Sequence, residues 1–381
     1  MATSSSPNAK GVKLENLLVL NPVTPLSLLD DLRKQWTNVI YAPKKQFSPP
    51  RPDDVLPTDE QLAQADAILA FQLPDGLISV QQVPRLKYVQ ALSAGYTQFE
   101  HHEFYKSLTN KDNITFASAS GIHVSTIGEH SIATAMMLLH KLHLITYRLR
   151  NERKWMSAND EYGLFIRELR DLTVGIAGYG HIGRETARMA AGMGSRIIAL
   201  NRSGKPSPET GYIVKGTGDP SGSLPEQYFS TEDKSSVLEF CARADIIVNT
   251  LPESESTRYF FGKPQFEAMK GDAILINIGR GTTVDQEALV KALQAQRSEE
   301  EPEDATGTLR IGGTSLDVTD PEPLPEGHPL FSLENVIVTP HMSGMSRDYF
   351  KRATDLLNVN ADRLRSGRGA LNAFRGKGEH D

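Results

Sequence analysis

Six residues near the middle of the chain, Gly178-Tyr179-Gly180-His181-Ile182-Gly183, constrain the fold more than any other stretch. The run Asp171 to Ala177 before them reads as a buried strand, Arg184 to Met193 after them as a helix, and Ser195 to Leu200 as a second strand. A strand that turns at once into a helix needs glycine at set positions. The first allows the tight turn, the second lets a pyrophosphate approach the backbone, and the third lets helix and strand pack closely. The helix start then presents unpaired N–H groups and the positive end of its dipole to an anion. Strand, turn, helix and strand in this order make a dinucleotide-binding unit.

About twenty residues beyond the first glycine, where an acidic side chain binds a ribose 2′-hydroxyl, the chain carries Asn201-Arg202-Ser203. No carboxylate there repels a 2′-phosphate, and Arg202 and Ser203 can donate hydrogen bonds to one. NADP(H) is therefore expected over NAD(H), with NAD still possible; an Arg202 that only stacks on adenine or faces solvent would leave the choice open.

The length of 381 residues suggests two domains. An apolar content of 39% with 30 glycines suits a globular protein, and no apolar run reaches the roughly 18 residues of a membrane span. A net charge of −6 gives no general attraction to nucleic acid or anionic membranes. The single cysteine, Cys241, can form neither an internal disulfide nor a thiolate metal site. With a polar, Ser-rich start at Met1 to Lys10 that has no apolar leader core, a cytoplasmic location is expected.

Leu17 to Leu20, Ala67 to Ala70 and Tyr88 to Ala91 lack polar alternation and read as parallel strands covered on both faces. Pro43 to Pro57 reads as an irregular surface connection. Ser125 to Tyr147 reads as one long helix, apolar around much of its circumference and buried between domains or subunits. Further strands are expected at Asp245 to Asn249, Ala273 to Ile278, Gly313 to Asp317 and Val336 to Val338. Ser203 to Lys234 and Arg297 to Thr308 look inserted, and their composition predicts mobile surface loops; the position of the first in the chain, just after the expected 2′-phosphate contact, suggests a cover for the adenosine end of the cofactor.

After the apolar run Ile276-Asn277-Ile278 comes Gly279-Arg280-Gly281, an arginine where ligands bind in parallel sheets and whose fork suits a carboxylate. Downstream stand Asp317-Val318-Thr319-Asp320-Pro321-Glu322-Pro323 and Val336-Ile337-Val338-Thr339-Pro340-His341. With these segments in this order, the chain resembles the D-isomer-specific 2-hydroxyacid dehydrogenase family over nearly its whole length, and in cofactor type the NADP-dependent glyoxylate and hydroxypyruvate reductases within it.

The resemblance implies an α/β chain of two Rossmann-like domains with the active site in the cleft between them. A flavodoxin-like substrate-binding domain would take residues 1–123 plus 342–381, and the NAD(P)-binding domain residues 124–341. It implies that Arg280 grips the substrate carboxylate, that His341 exchanges the proton with Glu322 on its other ring nitrogen, and that Asp317 lies near the nicotinamide. A carboxylate beside an imidazole fixes the ring and favours its charged form, which suits a proton donor. Ser93-Ala94-Gly95 resembles the loop that binds the substrate carboxylate through backbone N–H groups. The expected reaction is reduction of a small 2-oxo acid, with glyoxylate and hydroxypyruvate foremost, by a homodimer.

Tyr96 replaces the family's usual small aliphatic residue, and Gly121-Ile122-His123 is an unusual entry to the helix that follows, which leaves substrate size open. His123, His130, His140 and His143 have no carboxylate set around them and read as packing or surface residues, so no metal is expected. A phosphite-oxidising relative would keep the same catalytic three. A nucleotide-sensing corepressor scaffold of this fold is the alternative outside enzymes, and the absence of a basic localisation run weighs against it.

Overall fold

Apolar runs that never alternate with polar residues must be covered on both faces, and the chain uses them to build two parallel sheets. In a computed structural model of the protein the residues described are 11–376, apart from 22, 24, 44–55, 156–165 and 296–304. Most of Pro43 to Pro57 and of Arg297 to Thr308, and all of Met1 to Lys10, lie outside them.

Strands in the first third of the chain are β1 (Asn16–Val19), β2 (Asn38–Tyr41), β3 (Ala67–Ala70), β4 (Tyr88–Ala91) and β5 (Thr115–Ala117). Next come β6 (Thr173–Ala177), β7 (Arg196–Asn201), β8 (Gln227–Ser230), β9 (Ile246–Asn249), β10 (Ile274–Asn277), β11 (Gly313–Leu316) and β12 (Val336–Val338), and β13 (Ala373–Arg375) ends the series. The chain divides into one unit of residues Met1–Ile122, Gly211–Ile213 and Ser346–Asp381 and a second of His123–Thr210 and Val214–Met345.

In the first unit the sheet order is β13-β5-β4-β3-β1-β2, parallel except for β13. Leu17, Val19, Ala67 and Leu69 face one side and Leu18, Ile68, Ala70 and Val89 the other. The helix Tyr349–Arg365 covers the first side with Ala353, Leu356, Leu357 and Leu364. Each such leucine contributes about 1.5–3 kcal/mol by leaving water. The second unit orders its strands β12-β11-β10-β9-β6-β7-β8, all parallel, with a reversal of direction between β6 and β9. That reversal is where an open α/β sheet leaves a crevice at its carboxyl edge.

Two expectations are corrected here. The apolar stretch after Gly121 is not one helix: Val124–Leu139 and Leu142–Glu152 are separated at Lys141, whose φ of 53° is left-handed. His143 stabilises the break, because its Nδ1 lies 3.1 Å from Met137 O, one of the carbonyls a helix end leaves unpaired. The second helix buries no residue, so the apolar surface is only partly covered.

The insertion Ser203 to Lys234, which apart from Gly211–Ile213 belongs to the second unit, is ordered rather than a mobile loop. Composition misleads because the segment is held by buried charge, not by apolar area. Arg184, 3% exposed, donates to Asp219 O (2.6 Å) and Ser207 O (2.8 Å). Glu185, 1% exposed, accepts from Gly218 N at 2.7 Å. The segment then supplies β8, whose Phe229 enters the core.

The division between units falls after Ile122 and after Met345. Met342 and Ser343 stay with the second unit because both N–H groups are held by Asp317. Gly211–Ile213 groups with the first unit, where Tyr212 N donates to Asn372 Oδ1 at 3.2 Å.

Candidate active site

The glycine turn of the second unit meets each physical demand placed on it. Gly178 has a φ of 91°, and a Cβ there would press on Thr250 Oγ1, which donates to Gly178 O at 2.6 Å. A Cβ on Gly180 would meet nothing within 4 Å, so the space above the turn is open. One on Gly183 would overlap Gly178 O and approach Ile176 Cγ2 to 2.7 Å, so here helix and strand are packed as closely as backbone permits. The helix His181–Gly192 starts inside the glycine run, three residues earlier than the sequence suggests.

Two side chains of this turn face the insertion. Tyr179 is buried, its hydroxyl donates to Asp219 Oδ2 at 2.8 Å, and burial followed by that bond pushes the phenol's pKa well up. His181 Nε2 donates to Thr210 O at 2.6 Å. Ile182 is partly buried against the core. At the end of β7, Asn201 shapes a turn by accepting from Gly204 N (2.8 Å) and Ser203 Oγ (3.4 Å) and donating to Lys205 O (2.8 Å). The Arg202 side chain is exposed and its guanidinium has no hydrogen bond or ion pair among the described residues.

Arg280, Glu322 and His341 follow the carboxyl ends of β10, β11 and β12, which are adjacent in the sheet. Neighbouring strands lie about 4.8 Å apart, so topology alone brings these three loops to one edge. Arg280 stands between glycines that must be glycine: a Cβ on Gly281 would overlap Thr319 O, and one on Gly279 would press on Leu251 O at 2.6 Å. Its carbonyl accepts from Thr283 Oγ1 (2.6 Å) and Asn277 Nδ2 (3.0 Å), and its Nη1 donates to Gly279 O (2.7 Å). Sequence reading missed the buried Asn249, whose Nδ2 ties Asn277 Oδ1 (3.1 Å) to Thr283 Oγ1 (2.7 Å) beneath this loop. Its only sequence signal is a polar residue ending a strand of isoleucine and valine.

His341 has a φ of 50°, a left-handed conformation that a non-glycine residue adopts only when its surroundings hold it. What holds it is Asp317, 2% exposed. Its Oδ1 accepts from Thr339 Oγ1 (2.6 Å) and Met342 N (2.9 Å), and its Oδ2 from Ser343 N (3.0 Å). Burial opposes the charged form, but the donors of Ser343, Thr339 and Met342 outweigh it and hold the carboxyl below its ordinary range. The ring projects outward, half exposed, with Nδ1 2.7 Å from Glu322 Oε1. Its Nε2 takes no partner among the described residues.

In the first unit, Ser93, Ala94 and Gly95 follow the carboxyl end of β4. Ser93 Oγ donates to Gly95 O at 2.7 Å, while the N–H groups of Ala94, Gly95 and Tyr96 donate to no acceptor among the described residues. Successive unpaired backbone N–H groups are a recurrent anion contact. Among the described residues no group of three or more His, Cys, Asp or Glu side chains could hold a metal, and no helix is long and apolar enough to cross a membrane.

Residues 132–343 match the sequence profile of the D-isomer specific 2-hydroxyacid dehydrogenase NAD-binding domain, more than half of the chain. The chain belongs to this family. It is an NAD(P)-dependent oxidoreductase acting on the CH–OH group of 2-hydroxy acids.

Among its relatives is glyoxylate/hydroxypyruvate reductase B of Klebsiella pneumoniae strain 342, 27% identical over 78% of this chain and 81% of that one. Glyoxylate reductase of Korarchaeum cryptofilum is 27% identical over 81% and 82% respectively. The solved NADPH-dependent glyoxylate/hydroxypyruvate reductase of Sinorhizobium meliloti, in complex with NADP and sulfate, shares the fold with a TM-score of 0.68 at 22% identity, over 94% of this chain and 98% of that one. A D-isomer specific 2-hydroxyacid dehydrogenase family protein of Aeromonas salmonicida superposes with a TM-score of 0.70 at 21% identity, over 95% and 99%.

Proposed function

We propose that the enzyme reduces a small 2-oxo acid, glyoxylate or hydroxypyruvate, to the D-2-hydroxy acid with a preference for NADP(H). The observation that carries the reading is the 2.7 Å contact of His341 Nδ1 with Glu322, which leaves Nε2 as the ring nitrogen available to substrate. In reduction His341 gives its proton from Nε2 to the oxygen of the 2-oxo group, and in oxidation it takes that proton back, while Glu322 keeps the ring oriented. Arg280 binds the carboxylate through its guanidinium, aided by the backbone donors of the Ser93–Gly95 loop. Asp317 serves both groups by fixing the His341 turn at the cofactor end of the sheet.

Gly178 to Gly183 and the first turn of the helix His181–Gly192 would hold the pyrophosphate, and Asn201, Arg202 and Ser203 the adenosine end. NADPH, when bound, supplies the hydride. The exposed, unpaired Arg202 together with the absence of a carboxylate from Asn201 to Ser203 supports the NADP preference. On these grounds the unit of residues 1–122, 211–213 and 346–381 serves as the substrate domain and the unit of residues 123–210 and 214–345 as the cofactor domain. A cytoplasmic location accords with a lone cysteine, Cys241, that is buried and unpaired.

Purified protein mixed with NADPH and a panel of 2-oxo acids should consume the reduced nicotinamide absorbance with glyoxylate or hydroxypyruvate. No consumption with any 2-oxo acid sinks the reading. We also propose a homodimer, because Leu142 and Tyr147 of the helix Leu142–Glu152, and Trp155 beyond it, are exposed. Light scattering should return twice the chain mass of 42.0 kDa, and a monomer at micromolar concentration would remove this assignment.

A further inference from the structure

We propose that Gln98 is a positioning residue for the substrate, holding the Ser93–Tyr96 loop in the form that accepts a carboxylate. The proposal rests on the reading of that loop as the substrate loop. Gln98 lies in the helix Thr97–Glu100, whose four residues cannot supply the aligned donors of a long helix. Its side chain does the organising instead. Nε2 donates to Ser93 Oγ at 2.7 Å and to Phe71 O at 3.0 Å, and lies 3.4 Å from Gly95 O. Ser93 Oγ passes its own proton to Gly95 O at 2.7 Å.

Phe71 follows β3 and Ser93 follows β4, so one amide ties together the loops at the carboxyl ends of two neighbouring parallel strands. The consequence is a sorting of polarity. Three acceptors of the loop are engaged, Ser93 Oγ and Gly95 O by these bonds and Ser93 O by Ala119 N at 2.9 Å, so that apart from Ala94 O the groups left over are N–H donors, those of Ala94, Gly95 and Tyr96. A loop free to rotate its peptide units would offer carbonyl oxygens to an incoming carboxylate and repel it.

Both ends of the segment are fixed independently. Tyr349 Oη donates to Leu92 O at 2.6 Å, and the Tyr96 ring stacks on Phe374 with centroids 4.2 Å apart and 7° between planes. The unusual Tyr96 is therefore committed to an aromatic neighbour within its own unit, and the freedom that remains to be removed is that of the peptides between Ser93 and Gly95.

Two variants test the idea. Gln98→Met keeps the volume and removes the amide; Gln98→Glu replaces a donor with an acceptor facing Ser93 Oγ and two carbonyls. NADPH binding is followed by nicotinamide fluorescence, KM and kcat for glyoxylate and hydroxypyruvate by NADPH consumption, and Tm by calorimetry. Gln98→Met should raise the 2-oxo acid KM about tenfold, and Gln98→Glu should exceed about tenfold. Both should keep kcat and the NADPH Kd within about twofold, because lost uniform binding appears in KM alone.

A Gln98→Met enzyme that binds NADPH and has the wild-type KM overturns the proposal, as does a loss confined to kcat or Tm. If Gln98→Met does not fold, Ser93→Ala, which removes the acceptor of the amide, carries the same expectation for KM. Wild-type protein that turns over no 2-oxo acid overturns the functional reading before any variant is compared, which keeps the two failures distinct.

Discussion

The loop after β4 in the first unit and the strand ends of the second are both read as contacts of a carboxylate, yet they are held in place by different forces. In the first unit every stabilising contact of the loop is neutral: an amide, two hydroxyls, backbone carbonyls and a stacked pair of rings. In the second, neutral bonds of Asn249, Asn277 and Thr283 hold the Arg280 loop, but charged groups are added to them. Arg280 lies between two glycines crowded by backbone, His341 is paired to Glu322, and a buried carboxylate at Asp317 holds the turn. Neutral clamps cost little to bury but add no field, whereas charged groups polarise a reacting carbonyl and need a precise surround. Changes in the first unit should therefore appear in substrate affinity, and changes in the second in rate, cofactor choice and pH response.

The largest expected effect is that of Arg280→Lys. An ammonium on the shorter reach cannot make the two parallel bonds of the guanidinium fork, so kcat/KM for the 2-oxo acid should fall about a hundredfold, while NADPH affinity stays within about twofold. Steady-state kinetics beside a fluorescence titration with NADPH measures both. An equal loss of the two would erase the contrast between a rate-bearing edge and its cofactor cradle.

Arg202→Ala is next. If the exposed guanidinium at the end of β7 contacts the 2′-phosphate, its removal should cut the NADPH over NADH preference in kcat/KM about tenfold, through the loss of a charged hydrogen bond. NADH turnover should be unchanged. The same ratio in variant and wild type would leave cofactor choice to Ser203 and the turn that Asn201 shapes.

The parts of this molecule that were legible in the sequence are those where spacing follows from sterics. Gly178 and Gly183 are legible because a tight turn and a close packing each exclude a side chain, whereas at Gly180 a Cβ would meet nothing within 4 Å. The strands read from Leu17, Ala67, Tyr88, Asp171 and Ala273 were visible because a doubly covered strand cannot alternate. The insertion from Ser203 was misread because Arg184, Glu185 and Asp219 are charged residues whose burial depends on partners up to 40 positions away. The helix break at Lys141 was invisible for a related reason: it rests on His143, whose ring nitrogens approach Met137 O and Glu334 O, and nothing local signals that pairing. Gln98 and Asn249 belong to the same class, polar residues whose roles lie in contacts at a distance.

Asp317 gives the sharpest contrast between the two units. Its carboxyl titrates below its ordinary range in the folded protein, so the stability it contributes is present above the unfolded value and is lost as pH falls through the folded one. The clamp at Gln98 has no proton to exchange and should contribute equally at every pH. Asp317→Asn keeps the shape but turns one acceptor into a donor facing the N–H of Met342 or Ser343, at a cost of about 1–3 kcal/mol at pH 7. Wild type should keep its advantage over this variant from pH 7 down to the ordinary carboxyl value of 3.8 and lose it as the pH is lowered below that, since protonation weakens the carboxylate that the variant already lacks. Chemical denaturation of both proteins across that range, with Gln98→Met as the neutral control, reads the difference directly. A gap between wild type and Asp317→Asn that stays constant, or a Gln98→Met gap that narrows in the same way, would show that charge at the edge of the second sheet is not what holds the His341 turn.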